Sequence, residues 1–375
     1  MNIQPISGRR RLDVDARADE VVQRLLAGDS YEAIATDLGT SRGKIYSIAV
    51  ANGARRSEQK IRERAADRKV RQREFLESVI NATAKADVLD FLDGLPDNSV
   101  ACHIASPPYN VGKGYSTSND AYAFSFWLGW QLQVLSELAR TLQEGGTLFY
   151  QVGSTRGPDG TLYPIDVLLF QHLQTIGLTF QSRVAWVVPH GLTPKRRLSE
   201  RYETCLVFSK GVQRTFNPDA ARTPAKQPGK RAFKGPRKGE LSGNPHGVHP
   251  SNVWQVSNAG HNRPGRIDGH PAQMPLELAK RAVLLYSLPG DLVVDCFAGS
   301  GTTAEACILT GRSFSGCDLG YEDVRAQRLS RVAPELASRL PGVTDESLAV
   351  WNAEATPVHI PANIARQDEL FALAG

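Results

Sequence analysis

Apolar positions along the chain change their spacing three times. Between residues 17 and 52 they recur at helical intervals. Val21, Val22, Leu25 and Leu26 share one side of a stretch from Ala18 to Ala27, Ile34, Ala35 and Leu38 mark a second short helix, and Ile45, Ile48 and Ala49 mark a third. Gly28-Asp29 stops the first helix, Ser30 can cap the second, Gly39-Thr40 breaks the chain and Ser41 can cap the third. Residues 54–77 are rich in Arg, Lys and Glu and predict a charged helix. From Asp87 onward short apolar runs alternate with helical stretches, which predicts an α/β domain with a mainly parallel sheet. The candidate strands are Val88–Leu92, Val100–Ala105, Gly146–Val152, Ser182–Val188 and Thr204–Phe208. Residues 211–266 hold Pro, Gly, Asn, Lys and Arg and few apolar positions, so they are expected to be an insertion and not a core. The alternation then returns, with a helix from Pro271 to Leu288, a strand Leu292–Cys296, a glycine turn, a helix Thr303–Thr310 and a strand Ser313–Cys317. Peripheral helices and a tail follow over 320–375.

Composition adds a partner class. The formal net charge is +5 in 375 residues, and ten Lys/Arg against two acidic residues fall within 211–266, so a polyanion met by particular segments is implied. The first three helices add to this, because two short helices around a glycine turn have the form of a helix-turn-helix. Tyr31-Glu32-Ala33-Ile34-Ala35-Thr36-Asp37-Leu38-Gly39-Thr40-Ser41 resembles that element in resolvases and small regulators, with Arg42, Lys44 and Tyr46 facing outward as candidate DNA contacts. A small bundle that only packs is the other reading of the same residues. Arg55, Arg56 and Lys60 can reach phosphates. The five cysteines, Cys102, Cys205, Cys296, Cys307 and Cys317, are odd in number and form no Cys-x-x-Cys pair, so neither a metal site nor a disulfide framework is indicated. With no apolar stretch approaching the roughly 20 residues of a membrane span, a soluble, cytoplasmic protein is expected.

Two segments carry chemistry. Leu292 to Asp295 runs into Cys296-Phe297-Ala298-Gly299-Ser300-Gly301-Thr302-Thr303, a buried strand entering a glycine turn that opens a helix, where free N–H groups and absent side chains admit a ligand closely. No Gly-Lys-Ser/Thr follows, which argues against a phosphate-binding P-loop. Asp318 ends the next strand, where an acid accepts hydrogen bonds from a ribose diol. Thr303-Ala304 stands where a dinucleotide site would show a third glycine, so S-adenosylmethionine is preferred over NAD. Upstream, Val100–Ala105 ends in Ser106-Pro107-Pro108-Tyr109-Asn110. Two prolines remove two backbone donors and fix the chain, leaving the carbonyls of Ser106 and Pro107 free to accept from an amine. Tyr109 offers a flat face for an extruded base, and the Ser106 hydroxyl offers a further acceptor.

That tetrad resembles the hallmark of the amino-methyltransferase family of DNA-modifying enzymes, Asp/Asn/Ser-Pro-Pro-Tyr/Phe. Its position ahead of the glycine turn, with a basic insertion between, resembles the beta class of that family. The resemblance spans 85–330 and includes Arg201-Tyr202-Glu203-Thr204-Cys205-Leu206-Val207-Phe208-Ser209-Lys210 and His270-Pro271-Ala272-Gln273-Met274-Pro275-Leu276, with Met274 where lysine is frequent. It implies a circularly permuted Rossmann-like, S-adenosylmethionine-dependent methyltransferase sheet of α/β class, with a small all-α helix-turn-helix module at the N-terminal side. The divisions are then 1–53 for that module, 54–80 for a charged linker helix, 81–210 for a catalytic half, 211–266 for a target-recognition insertion, 267–335 for a cofactor-binding half and 336–375 for a C-terminal tail.

The resemblance further implies Ser106, Pro107, Pro108 and Tyr109 as catalytic. Asp87, His270, Pro271, Asp295, Phe297, Ala298, Gly299, Ser300, Gly301, Thr302 and Asp318 would hold the cofactor, with Asp87 meeting the adenine from a strand at 86–92. Lys226, Lys230, Arg231, Lys234, Arg237 and Lys238 would contact DNA. His246, His249 and Trp254 are candidates for base readout, against a plainer reading as loop histidines and a packing tryptophan. Amine attack on a sulfonium methyl needs alignment and loss of a proton but no covalent nucleophile. The chain lacks any Pro-Cys dipeptide, which counts against cytosine C5 chemistry. In the family the chain resembles, Ser at the first tetrad position is more typical of cytosine N4 enzymes and Asp of adenine N6 enzymes, while Ser-Pro-Pro-Tyr-Asn followed by Gly-Lys also occurs with adenine. The resemblance therefore favours cytosine N4 and keeps adenine N6 as the alternative. The implied partner is double-stranded DNA, with a homodimer and a cognate restriction endonuclease left open. Two rival readings also stay open: a helix-turn-helix regulator with an inactive methyltransferase body, and methylation of RNA or of a protein glutamine.

Overall fold

The computed structural model describes residues 17–27, 29, 31–40, 42–52, 58–157, 159–188, 193–195, 198–259 and 265–333. The capping expectations at Gly28, Ser30 and Ser41, the contacts at Arg55 and Arg56, and the tail at 336–375 lie outside them. The chain forms two compact units, one up to Arg73 and one from Glu74 onward.

In the first unit, α1 (Ala18–Ala27), α2 (Tyr31–Asp37) and α3 (Arg42–Ala51) enclose a small core of Val21, Leu25, Ile34, Ala35, Leu38, Ile45, Ile48 and Ala49. These are the positions that the helical spacing selects. Arg24 ties the bundle together by bonding Asp29 and Asp37, both at 2.7 Å. Tyr46 is 58 % exposed and its ring edge meets Tyr31. Lys44 is half-buried, and the side chains of Arg42 and Lys60 lie outside the described atoms.

The second unit begins within α4 (Glu58–Val79), whose last turns bring Phe75 and Val79 into the α/β core. Its sheet comprises β1 (Ala82–Lys85), β2 (Val100–Ala105), β3 (Leu142–Val152), β6 (Leu178–Val187), β7 (Tyr202–Lys210), β8 (Val253–Gln255), β9 (Leu292–Asp295) and β10 (Ser313–Asp318). Their order is β1-β10-β9-β2-β3-β7-β6-β8, and a separate hairpin joins β4 (Ser154–Arg156) to β5 (Leu162–Pro164). The pairs from β1 to β3 are parallel, while β7 runs antiparallel to both β3 and β6. Side chains alternate across the sheet. Val294, Leu148, Tyr150, Leu206 and Phe208 face a layer of α5 (Val88–Gly94), α6 (Phe124–Thr141) and α7 (Ile165–Thr175), whereas Cys102, Ile104, Phe149, Val207 and Val293 face α8 (Leu276–Tyr286) and α9 (Thr302–Thr310), beside α10 (Glu322–Leu329). Burial on both faces is why these strands read as continuous apolar runs. Gly316 in β10 is required by this packing, since a side chain there would run into the Asp295 carbonyl of β9.

Three sequence expectations need correction. Val88–Leu92 is not a strand but the body of α5: Val88, Phe91 and Leu92 bury one helical face, and the Asp87 carboxylate caps the helix by accepting from the Leu89 N–H at 2.8 Å. The strand beside Asp318 is accordingly β1, with Lys85 opposite Asp318, and not residues 86–92. The third concerns 211–266, which contributes β8 to the sheet edge and places Trp254 and Val256 in the core. Trp254 stacks on Phe149 at 5.7 Å, so it is a packing residue and is removed from the candidates for base readout. Among the described residues no helix is long and apolar enough to cross a membrane.

Candidate active site

Because β10, β9, β2 and β3 are parallel, their carboxyl ends lie along one edge of the sheet. That edge is where an open α/β sheet binds ligands, at the point where strands of separate chain segments meet. Here the meeting is between β9 and β2, with Cys102 opposite Val293 and His103 opposite Val294. The glycine turn after β9 and the proline tetrad after β2 therefore share one cavity of about 790 Å³. It is lined by Asp87, all four tetrad residues, His270, Pro271, Asp295, Phe297, Ala298, Gly299, Ser300, Thr302 and Asp318. Of the residues predicted for cofactor and catalysis only Gly301 stays off the wall. It sits at φ 78° before α9, with Arg325 packed where a side chain would go, and shapes the turn from behind.

The glycine turn is held on several sides. The Gly299 N–H donates to Asp318 Oδ2 at 2.9 Å, and the Gly320 N–H donates to Oδ1 at 3.0 Å. Burial raises the Asp318 pKa while these two amides oppose the shift. Asp295 accepts from the Thr303 hydroxyl at 2.6 Å and from the Phe297 N–H at 3.0 Å. It ties the strand end to the start of α9 and so positions the turn. Burial nonetheless pushes its carboxyl up to about 6 against those bonds. A carboxyl whose pKa is higher in the folded state than in the unfolded chain binds more protons when folded, so stability falls as pH rises from about 4 to about 6. Asp295→Asn is expected to flatten that segment of the pH–stability curve measured by chemical denaturation; an unchanged slope would place the titration elsewhere.

Two arginines of α10 support the turn from beneath. Arg325 donates to the carbonyls of Gly299 (3.1 Å) and Gly320 (2.6 Å), and Arg328 donates to the Ser300 carbonyl (2.7 Å) while pairing with Glu305 (2.6 Å). Over the turn lies His270, its Nε2 only 2.8 Å from where a Gly299 Cβ would stand. Burial, with Arg325 and Arg328 nearby, lowers its pKa to about 4, so the ring is neutral at pH 7. Tyr321 packs edge-on against that ring at 4.4 Å and takes the Ser116 N–H on its hydroxyl at 2.8 Å. Phe297 meets Trp130 edge-on at 5.8 Å to form an aromatic wall.

The tetrad is fixed from α6 and β7. Both Trp127 Nε1 and Gln131 Nε2 donate to the Pro108 carbonyl at 3.1 Å, and Gln131 is in turn held by the Tyr150 hydroxyl at 2.6 Å. The carbonyls of Ser106 and Pro107 have no donor among the described residues and remain available. The Tyr109 ring lies against Gly153, where a Cβ would come within 3.0 Å of it. Its hydroxyl donates to Glu203 Oε2 at 2.9 Å, and Gln151 Nε2 donates to the same carboxylate oxygen at 2.8 Å. Burial and the Glu203 charge push the phenol upward in pKa, so it stays a donor. After the tetrad, the loop to α6 folds around buried Asp120, which accepts from the N–H groups of Asn110 and Val111 at 2.8 and 3.0 Å. Lys113 and Tyr115 from this loop also line the cavity.

Sequence reading missed Glu203, Gln151, Tyr321 and Trp130. Glu203 and Gln151 were visible as polar residues within buried strand runs, a signal of a paired or functional group; nothing local marks Tyr321 or Trp130. All five cysteines are buried, and burial pushes each thiol pKa up, so none is poised as a nucleophile. Lys226, Lys230, Arg231, Lys234, Arg237 and Lys238 are all exposed, as are His246 and His249.

Comparison with known proteins gives a consistent picture. Residues 100–327 match the N6/N4 methyltransferase family, described as DNA methylase. The type II methyltransferase M.BglII of Bacillus subtilis is 36 % identical over 258 residues, covering 68 % of this chain and 71 % of its own. The DNA adenine methyltransferase YhdJ of Escherichia coli (strain K12) is 32 % identical over 242 residues, 64 % of this chain and 78 % of its own. Among solved structures, the PvuII DNA methyltransferase (cytosine-N4-specific) superposes with a TM-score of 0.51 at 19 % identity, covering 73 % of this chain and 94 % of that one, a likeness of fold.

Proposed function

This chain belongs to the N6/N4 family of DNA methylases, and on that premise we propose that it moves the methyl group of S-adenosylmethionine to the exocyclic amine of a base flipped out of double-stranded DNA, with cytosine N4 as the favoured acceptor. The observation that carries this reading is the single cavity holding both the free carbonyls of the tetrad and the glycine turn with Asp318. Its volume of about 790 Å³ is within the usual range for small-molecule sites, and it accommodates a nucleoside-bearing cofactor together with a base. Asp318 keeps unshared lone pairs for a ribose diol, His270 and Phe297 supply ring faces, and Gly299 permits close backbone approach. When bound, the cofactor supplies an electrophilic methyl on sulfonium sulfur.

The protein's own residues do the rest. The Ser106 and Pro107 carbonyls accept hydrogen bonds from the two N–H groups of the amine and aim its nitrogen lone pair across the β9–β2 junction, and the proton released after methyl transfer passes to solvent. Pro108 cannot turn away, because its carbonyl is tied by Trp127 and Gln131. Tyr109 stacks on the base, and Glu203 fixes the ring's orientation through its hydroxyl. Extrusion of the base is the route by which an enzyme reaches such an atom. The order of parts, with the tetrad ahead of the glycine turn and a basic insertion between them, supports placement in the beta class and a circularly permuted sheet. Lys226, Lys230, Arg231, Lys234, Arg237 and Lys238 supply phosphate contacts, and the first three helices, through Arg42, Lys44 and Tyr46, act as a helix-turn-helix on the same polyanion.

Adenine N6 is the second reading, favoured by the similarity to an adenine methyltransferase. Mass spectrometry of nucleosides from DNA incubated with the protein and S-adenosylmethionine tests both. N4-methylcytosine is the expected product. N6-methyladenine would leave the amine chemistry standing and overturn the choice of base, and the absence of both would overturn the activity.

A further inference from the structure

Within the basic insertion, residues 230–242 form a compact hairpin. Arg231 bridges Leu241 in antiparallel fashion, Ala232 N–H donates to the Glu240 carbonyl at 2.8 Å, Gly239 N–H donates to the Ala232 carbonyl at 2.9 Å and Ser242 N–H donates to the Lys230 carbonyl at 2.8 Å. Arg231 Nη1 closes it further on the Gly239 carbonyl at 2.6 Å. This is a knit structure, and of the two large apolar side chains it exposes, Phe233 stands out at 91 % against 46 % for Leu241. Around the ring in sequence stand Lys230, Arg231, Lys234, Arg237 and Lys238. Glu240 is the hairpin's acid, and Arg237 already holds it at 2.9 Å. Lys230, Lys234 and Lys238 have no acidic partner among the described residues.

A single exposed aromatic is ordinary on a protein surface. An exposed aromatic at a hairpin tip, flanked in sequence by three lysines with no acidic partner among the described residues, is a more particular object. An apolar protein partner would have to bury those charges, and a second copy of the same hairpin would set lysine against lysine. A polyanion whose interior is built of stacked flat rings satisfies both components at once: phosphates take the cations, and a base step takes the ring. We infer that Phe233 is a wedge that enters a groove of duplex DNA and partly unstacks a base step, with the flanking lysines seated on the phosphates on either side. The inference rests on the proposed action on DNA and adds to it a deformation of the duplex. Apolar wedges of this kind locally unwind and kink the helix.

The two components separate by salt. Phosphate contacts release counterions, and each one removed lowers the slope of log K against log salt by about 0.9, whereas a stacking contact leaves the slope alone. With the full-length protein and a fluorescent non-specific duplex, Phe233→Ala is expected to weaken binding by roughly 5- to 100-fold with an unchanged slope. Lys234→Gln is expected to lower the slope by about one with a smaller loss at low salt, and Phe233→Trp is expected to retain binding. Topoisomerase relaxation of a closed plasmid in the presence of each variant reads the unwinding directly: the shift in linking number should shrink for Phe233→Ala and persist for Phe233→Trp. Wild-type affinity and unwinding in Phe233→Ala would overturn the wedge while leaving DNA methylation intact, as would a Phe233→Ala defect confined to self-association or to anionic lipid vesicles. A wild-type protein that neither binds nor methylates duplex DNA would overturn the function beneath it.

Discussion

Tyr109→Ala is expected to lower turnover on DNA by about 100-fold or more while S-adenosylmethionine binding, followed by calorimetry, stays close to wild type. The ring lies on Gly153, is tethered to Glu203 and stands beside the free Ser106 and Pro107 carbonyls, so its loss removes the surface proposed to hold the base in line and leaves the glycine turn untouched. Tyr109→Phe separates the two contributions. It keeps the stacking face and drops the hydroxyl tether, so its turnover should fall between wild type and alanine, with Glu203 left short of one donor. Unchanged turnover in Tyr109→Ala would refute the stacking role outright, and a parallel loss of cofactor binding would show that the ring supports the cavity instead.

The converse variant is Gly299→Val, which is expected to abolish measurable S-adenosylmethionine binding, a loss of at least about 100-fold. Two independent penalties act there. The backbone has φ 46°, in the left-handed region where a β-branched residue is strained, and a Cβ would come within 2.8 Å of His270 Nε2. His270 has little room to retreat, because Tyr321 packs on one side of it and Tyr115 on another. Calorimetric titration of the folded variant is the measurement, with circular dichroism confirming that the sheet is intact. Binding within a few-fold of wild type would mean that the turn does not approach the ligand as closely as its geometry suggests.

Much of this architecture was legible because burial on both faces leaves a plain signature. Val100–Ala105, broken only by His103, and Leu292–Val294 are apolar runs, and the residues that follow them, two prolines in one case and two glycines in the other, are chemically unusual. What the sequence hid depends on contacts made across long separations. Glu203 reaches Tyr109 over ninety-four positions and Tyr321 reaches Ser116 over two hundred and five, and no local pattern encodes either. The segment Val88–Leu92 shows the limit of short apolar runs. Five residues fit a strand as well as a helix by composition, and only the capping geometry at Asp87 and the i, i+3, i+4 burial of Val88, Phe91 and Leu92 decide for the helix. Residues 211–266 show the opposite error, in which a polar, basic neighbourhood concealed a strand that completes the sheet edge, while Trp254 within it packs as the plainer reading had it.

The strand order also bears on how the molecule comes into being. β9 and β10, at 292–318, lie between β1 and β2, which are made some two hundred residues earlier. At roughly 5–20 residues per second of synthesis, the edge of β2 stays open for about 10–40 s before its neighbour exists. Over that interval the nascent chain carries an unpaired apolar edge of the kind that invites wrong pairing. It also carries the tetrad without the turn that must face it. The cavity that the tetrad and the glycine turn share is therefore complete only once β9 and β10 have joined the sheet, so on the proposed reading activity belongs to chains that have closed it.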